Sequence, residues 1–313
     1  MTSPRAAALL GLFSLVATAC GSTTPAGGRP ADRPPQLSRE LDATDLLPSD
    51  LDVVFRVDVA RLKAGLGPAA AQALAARAGQ EGGDGFIAEA MAGADSVWIG
   101  LRLADLDAGD RVLVAEGRLR DIHLTPSEWG ETTPAATIEG VRILDRKGIV
   151  PRASTGRIVT ARGRLYAFIS PAEIDATNRL LREGPDEARG DPAAVGLVSM
   201  DVRGHRLPPS LEKKYPSIAA VIAGVARVRG SATLADEGLR VDLDVVARSE
   251  PDAQRVDRFL STVRDAAADS QKYAPLMKTA AVERAGVHVH VKLTVPAGMV
   301  IDALSEGDTS ATR

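Results

Sequence analysis

Cysteine occurs once in the 313 residues of the chain, at Cys20. A single thiol excludes an internal disulfide framework, and no cysteine remains in the body of the chain as a nucleophile or metal ligand. Aromatic residues make up only 3% of the sequence, which argues against a surface that stacks on sugars or nucleobases. The formal net charge of −3 is too mild to indicate a nucleic-acid partner. No stretch after Cys20 has eighteen consecutive apolar residues, so the sequence predicts no transmembrane helix there.

The first nineteen residues have the three-part layout of an export signal. Arg5 gives a positive start, residues 6–16 form an apolar run too short to span a bilayer, and Ala17-Thr18-Ala19 places small residues where a signal peptidase cleaves. Two interpretations are open. In one of them, the site is an ordinary cleavage site and Cys20 is incidental.

In the other interpretation, which the position of the lone cysteine favours, Ala17-Thr18-Ala19-Cys20 resembles the lipobox of bacterial lipoproteins. The resemblance implies that Cys20 carries a diacylglyceryl anchor with palmitate-type chains and becomes the mature N-terminus. We therefore expect an exported protein, lipid-anchored to the bacterial cell membrane or outer membrane, with the membrane as a partner through Cys20.

The residues that follow Cys20 are rich in Gly, Pro, Ser and Thr and contain no large apolar residue before Leu37. Such a segment buries too little apolar surface to offset its chain entropy, so it is predicted to be a disordered spacer. The predicted organisation is a signal peptide at 1–19, a disordered tether at 20–45, a first module at 46–185, a second module at 192–306 and a disordered tail at 307–313.

The two predicted modules share a weak internal repeat. Val57-Asp58-Val59 aligns with Met200-Asp201-Val202, and each triplet precedes a helical stretch. Each half then shows two strands around a short turn, a second hairpin with a glycine at the bend, and a helix opened by Pro171 or Pro296. The sequence leaves open whether the halves form two sheets or one long sheet.

The order of apolar and charged residues along the predicted strands indicates how helices pack on each sheet. In the strand from Leu239, apolar residues at odd positions alternate with charged residues at even positions. This pattern is typical of a strand with one buried and one solvent-exposed face. A helix predicted after Ser249 and Pro251 can pack on the buried face of this strand. Its apolar stripe consists of Val256, Phe259, Leu260, Val263 and Ala267. The predicted fold class is α+β: two tandem similar modules, each a mostly antiparallel sheet with helices packed on one face.

His288 and His290 are the leading candidates for a metal site. Residues two apart on a strand share a face, so both imidazoles can reach one ion if a further ligand lies within reach. The favoured interpretation is that both histidines line a solvated face beside Lys292, with no metal and no cofactor. A hydrolase or metal site at this pair is the unlikely alternative, and it requires a carboxylate or another histidine within ligand distance.

Four further residues have both a structural and a functional interpretation. Asp58 and Asp201 recur at equivalent positions, and we expect each to sit at a strand end and accept hydrogen bonds from the backbone that follows. Trp98 is predicted on a strand, either exposed or covering part of the sheet, and Trp129 in a loop at 126–131, packed against the body.

No catalytic constellation emerges from the sequence. The body resembles uncharacterised envelope lipoproteins that begin with a strand of the pattern LLP-x-D-x-x-V-x-x-x-x-D, here Leu46 to Asp58, and this resemblance implies no activity. We expect a non-enzymatic binding or structural scaffold of the cell envelope, with an envelope protein as a further partner. The alternative is a carrier of a lipid or other hydrophobic ligand in a cleft between sheet and helices.

Overall fold

A computed structural model gives the chain a mixed α/β fold with a large antiparallel sheet and several helices. No described helix is long and apolar enough to cross a membrane. Cys20, the predicted signal segment and the predicted tail all lie outside the described residues. Those residues divide into two compact units, 36–185 and 196–300. The structure describes residues 36–37, 40–69, 71–72, 75, 85–103, 110–119, 124, 126–132, 137–148, 155–185, 196–203, 208–236, 238–270 and 273–300.

The N-terminal unit is built mainly from strands. Across its sheet the strands follow the order β2-β3-β4-β9-β8-β7-β5, and each pair is antiparallel. A separate short parallel pair joins β1 to β6. The strands are β1 (Gln36–Leu37), β2 (Val53–Asp58), β3 (Ala94–Leu101), β4 (Arg111–Gly117), β5 (Trp129–Glu131), β6 (Thr137–Ile138), β7 (Val141–Arg146), β8 (Arg157–Ala161) and β9 (Leu165–Ile169).

The helices of this unit lie between its strands and after the last of them. They are a 3-10 helix (Ala43–Leu46), α1 (Val59–Leu66), α2 (Gly85–Gly93), a second 3-10 helix (Pro171–Glu173) and α3 (Ile174–Glu183). Residues 68–69, 71–72 and 75 are also helical. Asp58 caps α1, because its Oδ1 accepts a hydrogen bond from the backbone N–H of Arg61 at 2.9 Å. The expectation for Asp58 is therefore confirmed.

The central strands of the N-terminal unit are buried on both faces, so the prediction of helices on one face is wrong here. All five residues of β9 are buried, and so are the first five of β4. One face packs in a cluster with the segment before β2 and with Leu181 of α3. Phe168 and Val97 on the other face are also buried, and α1 and α2 contact the sheet as well.

The segment that precedes β2 is folded, which corrects the predicted end of the tether at residue 45. Leu41, Leu46 and Leu51 are buried in the core of the unit, because they supply apolar area that the preceding Gly- and Pro-rich stretch lacks. The segment lies close to the sheet at Gly100, where an added Cβ would come within 2.5 Å of the Leu51 side chain. The folded body therefore includes residues that were predicted to belong to the tether.

In the C-terminal unit the strands follow the order β13-β14-β12-β11-β10, again with each pair antiparallel. The strands are β10 (Val198–Val202), β11 (Val225–Ala235), β12 (Gly238–Ala247), β13 (Ala281–Ala285) and β14 (His288–Pro296). The helices are α4 (Pro209–Lys214), α5 (Pro216–Ile222), α6 (Glu250–Ala268) and α7 (Ala274–Met277). Residues 297–300, which follow β14, are also helical.

Several predicted turns and helix boundaries agree with the structure, while the predicted turn around Gly109 lies outside the described residues. Gly163 and Gly286 have φ angles of +66° and +61° at the tight turns of their hairpins, a conformation that glycine adopts without strain. Pro216 is the first residue of α5 and separates it from α4, which ends at Lys214. The helix predicted after Ser249 is α6, and Ser249 is its N-cap.

Candidate functional site

The structure brings a third potential ligand to the predicted histidine pair. The Nδ1 atoms of His288 and His290 lie 3.0 and 3.4 Å from the same oxygen, Oδ1 of Asp244. The two rings are stacked, with centroids 5.9 Å apart and planes at 12°. Each histidine side chain is 44% exposed and Asp244 is 32% exposed. The carboxylate that the metal alternative required is therefore present on the solvated face.

Strand register explains why these side chains meet. β12 and β14 are antiparallel, and Asp244 lies directly opposite His290 while Val246 lies opposite His288. Directly opposed residues on one face have Cβ atoms about 4.5–5.5 Å apart, which brings their side chains into contact. On the other side of β14, Glu283 of β13 lies opposite His290. His290 thus sits between two strands that each place a carboxylate in register with it.

Asp201 of β10 takes part in an ion network in the same unit. Its carboxylate is 2% exposed and lies 2.6 Å from Nε of Arg227 and 3.0 Å from Nε of Arg203. The sequence predicted that Asp201 accepts hydrogen bonds from the backbone that follows it, as Asp58 does. It did not predict the two arginine partners. A buried carboxylate held by two guanidinium groups has its charge balanced within the fold, which indicates a structural role.

The opposite face of the C-terminal sheet is apolar, and α6 packs tightly over only one end of it. Val245 and Val289 of the sheet are buried with Ala253 and Val256 of the helix. At the other end, Leu234 is 37% exposed, and the neighbouring apolar side chains are half-buried. We call this region the open apolar end; it comprises Leu234, Leu239, Val241, Leu243, Leu293 and Val295.

The predicted helix stripe is therefore buried only in part. Val256 and Ala267 are buried, whereas Phe259, Leu260 and Val263 are half-buried. Neither α4 nor α5 contains a buried residue. The alternation of apolar and charged residues in β12 correctly predicted one apolar and one polar face. It did not show how much of the apolar face α6 covers.

A shallow depression in the N-terminal unit is a weaker candidate. It encloses about 300 Å³, including its open mouth. Its four charged residues form two oppositely charged pairs, Arg162 with Glu139 and Arg164 with Glu40, so its lining offers no strong net charge to a ligand. The lining residues are Glu40, Leu41, Ile138, Glu139, Val141, Ala161, Arg162 and Arg164.

Both tryptophans are buried in the N-terminal unit. Trp98 donates from Nε1 to Glu116 at 3.2 Å. Trp129 belongs to β5 rather than to the predicted loop, and the Arg146 guanidinium lies 4.9 Å from the centroid of its ring. Both indoles therefore stabilise the fold.

No protein-family model and no curated protein matches this sequence. Two solved structures, crystal forms I and III of the Treponema protein TP0453, are similar to this chain with TM-scores of 0.51 and 0.50. The sequence identities are 11% and 10%, and the alignments cover 87% and 85% of this chain and 99% of TP0453 in both cases. At this level of identity the likeness shows a shared fold.

Proposed function

We propose that this chain is a lipid-anchored protein of the bacterial cell envelope whose folded body is a non-enzymatic binding or structural scaffold. The lipobox-like Ala17-Thr18-Ala19-Cys20 carries the proposal. Cys20 then attaches the protein to the membrane, and the C-terminal unit, with its half-buried apolar end, offers a surface to a partner in the envelope.

The start of the folded body supports an anchor at this position. The buried segment begins at Leu41, about twenty residues after Cys20. Glu116 of β4 accepts a hydrogen bond from the backbone N–H of Ala43 at 2.9 Å. A tether from Cys20 would therefore enter the body at a segment fixed to its main sheet.

Membrane fractionation of a cysteine variant tests this proposal. Cys20→Ser should move the protein from the membrane fraction to the soluble fraction, because serine offers no thiol for acylation. A matched control combines Cys20→Ser with Ser38→Cys, which keeps one cysteine but places it after Pro35-Gln36-Leu37, a sequence without the small residues of a lipobox, and this protein should also be released. Unchanged membrane association of Cys20→Ser would refute the lipid anchor.

A second candidate function is the carriage of a lipid or other hydrophobic ligand, and the open apolar end favours it. This end lies beside α6 on the covered face of the sheet and leaves several large apolar side chains half-buried. A surface of this kind lowers its free energy when an acyl chain excludes water from it.

Binding of a fluorescent long-chain fatty acid tests the carrier function. Val241→Glu places a charge in the open apolar end and should abolish saturable binding. Arg240→Glu changes the adjacent, solvent-facing position of the same strand and should leave binding intact. Failure of the wild-type protein to bind the probe saturably, or equal binding by both variants, would contradict this function.

A further inference from the structure

We propose that Asp244, His288 and His290 form a binding site for one late divalent transition-metal ion, Zn²⁺ or Cu²⁺. This site lies on the polar face of the C-terminal sheet, opposite the open apolar end, and is independent of the lipid anchor. The ligand atoms of the three side chains all lie within 4.8 Å of one another.

The two nitrogen–oxygen distances match those around a bound ion. Zinc lies about 2.0–2.1 Å from imidazole nitrogen and carboxylate oxygen, so two ligands of a tetrahedral ion are about 3.3 Å apart. The two nitrogen–oxygen separations here are 3.0 and 3.4 Å. Only a small rotation of the side chains is needed for all three atoms to face a common centre.

The backbone holds the three ligands in place before an ion arrives. The two histidines lie on one strand, and β12 and β14 are paired without a register shift from Gly238 to Val246. The near-parallel stacking of the rings aims both Nδ1 atoms at the same carboxylate oxygen. Because the ligands are already arranged, less conformational entropy is lost when the ion binds.

The donor set selects the class of ion. Two imidazole nitrogens and one carboxylate oxygen suit Zn²⁺ and Cu²⁺, whereas Ca²⁺ and Mg²⁺ prefer sites made of oxygen alone. The exposure of both histidines gives an ion access from solvent. A fourth position then remains for water, and Glu283, in register with His290 on β13, is the nearest further carboxylate by strand pairing.

Calorimetric titration of the full chain, purified without a histidine tag and stripped of metal, tests this site with Zn²⁺ alone. We expect one ion per chain with a Kd on the order of micromolar, which corresponds to about −8 kcal/mol. His290→Gln should weaken binding at least tenfold, as should Asp244→Asn. Lys292→Gln changes the next residue on the same face and should leave the affinity unchanged. Circular dichroism checks that each variant is folded.

Electron paramagnetic resonance of the Cu²⁺-loaded protein gives a second measurement. Hyperfine splitting from two imidazole nitrogens is expected in the wild-type spectrum, and from one in His288→Gln. The proposal is overturned if Zn²⁺ shows no one-to-one binding. It is also overturned if His290→Gln and the wild-type protein bind equally, because the ion would then be held by other residues.

Discussion

Glu116 and Ala43 are 73 residues apart in sequence, and the carboxylate of Glu116 accepts a hydrogen bond from the backbone N–H of Ala43 at 2.9 Å. The other oxygen of Glu116 accepts from Ser96 Oγ at 3.0 Å and from Trp98 Nε1 at 3.2 Å. One side chain of β4 thus joins the segment before β2 to β3. Charge-assisted hydrogen bonds of this kind are stronger than neutral ones.

Replacement of Glu116 by alanine should therefore destabilise the protein. We expect the free energy of unfolding to fall by about 2–3 kcal/mol, because a backbone N–H and an indole N–H lose their acceptor. Urea denaturation measures this change. The control is Glu139→Ala, at a side chain that is 82% exposed, and its effect should stay within about 0.5 kcal/mol. Equal effects of the two substitutions would contradict the role of Glu116.

Replacement of Asp42 should, in contrast, stabilise the protein. Partial burial and the nearby carboxylates of Asp45, Glu116 and Glu40 raise the pKa of Asp42 in the folded protein. A raised folded-state pKa contributes stability that is present below the ordinary aspartate value of about 4 and is lost as the pH rises through the folded-state value. Asp42→Asn should therefore raise the free energy of unfolding at pH 7.

The gain from Asp42→Asn should be only a few tenths of a kcal/mol, because solvent screens most of the repulsion at this surface position. Asp42 is the N-cap residue of the 3-10 helix Ala43–Leu46, and asparagine is equally favoured at an N-cap. Urea denaturation at pH 7 and at pH 3.5 measures the difference. A gain that persists at the lower pH, where the wild-type carboxyl is largely protonated, would show that the ionisation of Asp42 is not its cause.

Arg102 has two carboxylate partners of very different exposure. Its Nε lies 2.5 Å from Glu173, which is 1% exposed, and its Nη2 lies 2.9 Å from Asp50, which is 60% exposed. Glu173→Ala should cost about 3–5 kcal/mol, because it removes the partner of a partly buried charge. Asp50→Asn should cost less than about 1 kcal/mol, as expected for an exposed pair. Thermal and urea unfolding of the two variants compare these costs directly.

The pH dependence of the Arg102–Asp50 pair follows from the same contacts. The hydrogen bond from Arg102 lowers the pKa of Asp50. Stability from a lowered pKa is present above the ordinary aspartate value of about 4 and is lost as the pH falls through the folded-state value. As the pH falls, the free energy of unfolding should therefore decrease less in Asp50→Asn than in the wild-type protein. At pH 7 the variant should lose less than about 1 kcal/mol.

The N-cap of α6 offers a local test of helix stability. Ser249 Oγ accepts a hydrogen bond from the backbone N–H of Asp252 at 3.3 Å. Ser249→Ala should lower the free energy of unfolding by about 1 kcal/mol. Ser261→Ala, within the same helix, should be neutral or slightly stabilising because alanine has the higher helix propensity. The reverse order of the two effects would contradict the assigned cap.

Local patterns in the sequence were sufficient to predict many of the elements. Ser249 and Pro251 marked the start of α6, and glycines marked the hairpin turns at 163 and 286. The two-sided burial of β4 and β9 was missed, although the uninterrupted apolar runs in RVLVA and LYAFI carry that signal. Short strands such as β5 were missed because three residues with one tryptophan set up no periodicity.

The candidate metal site shows what the sequence could not supply. The spacing of His288 and His290 placed them on one face, and that prediction is confirmed. Asp244 is 44 residues away from His288, and only the register between β12 and β14 makes it their neighbour. Register depends on packing and on turn geometry over the whole unit, so no local pattern around Asp244 indicated its partners.

Intact-mass spectrometry of the protein, purified from bacterial membranes in detergent, tests the lipid anchor most directly. If Cys20 is acylated, the purified chain begins at Cys20, lacks residues 1–19 and carries the added mass of a diacylglyceryl group, and Cys20 resists alkylation under denaturing conditions. A chain with a free, alkylatable Cys20 thiol and no added lipid mass would contradict the lipid anchor.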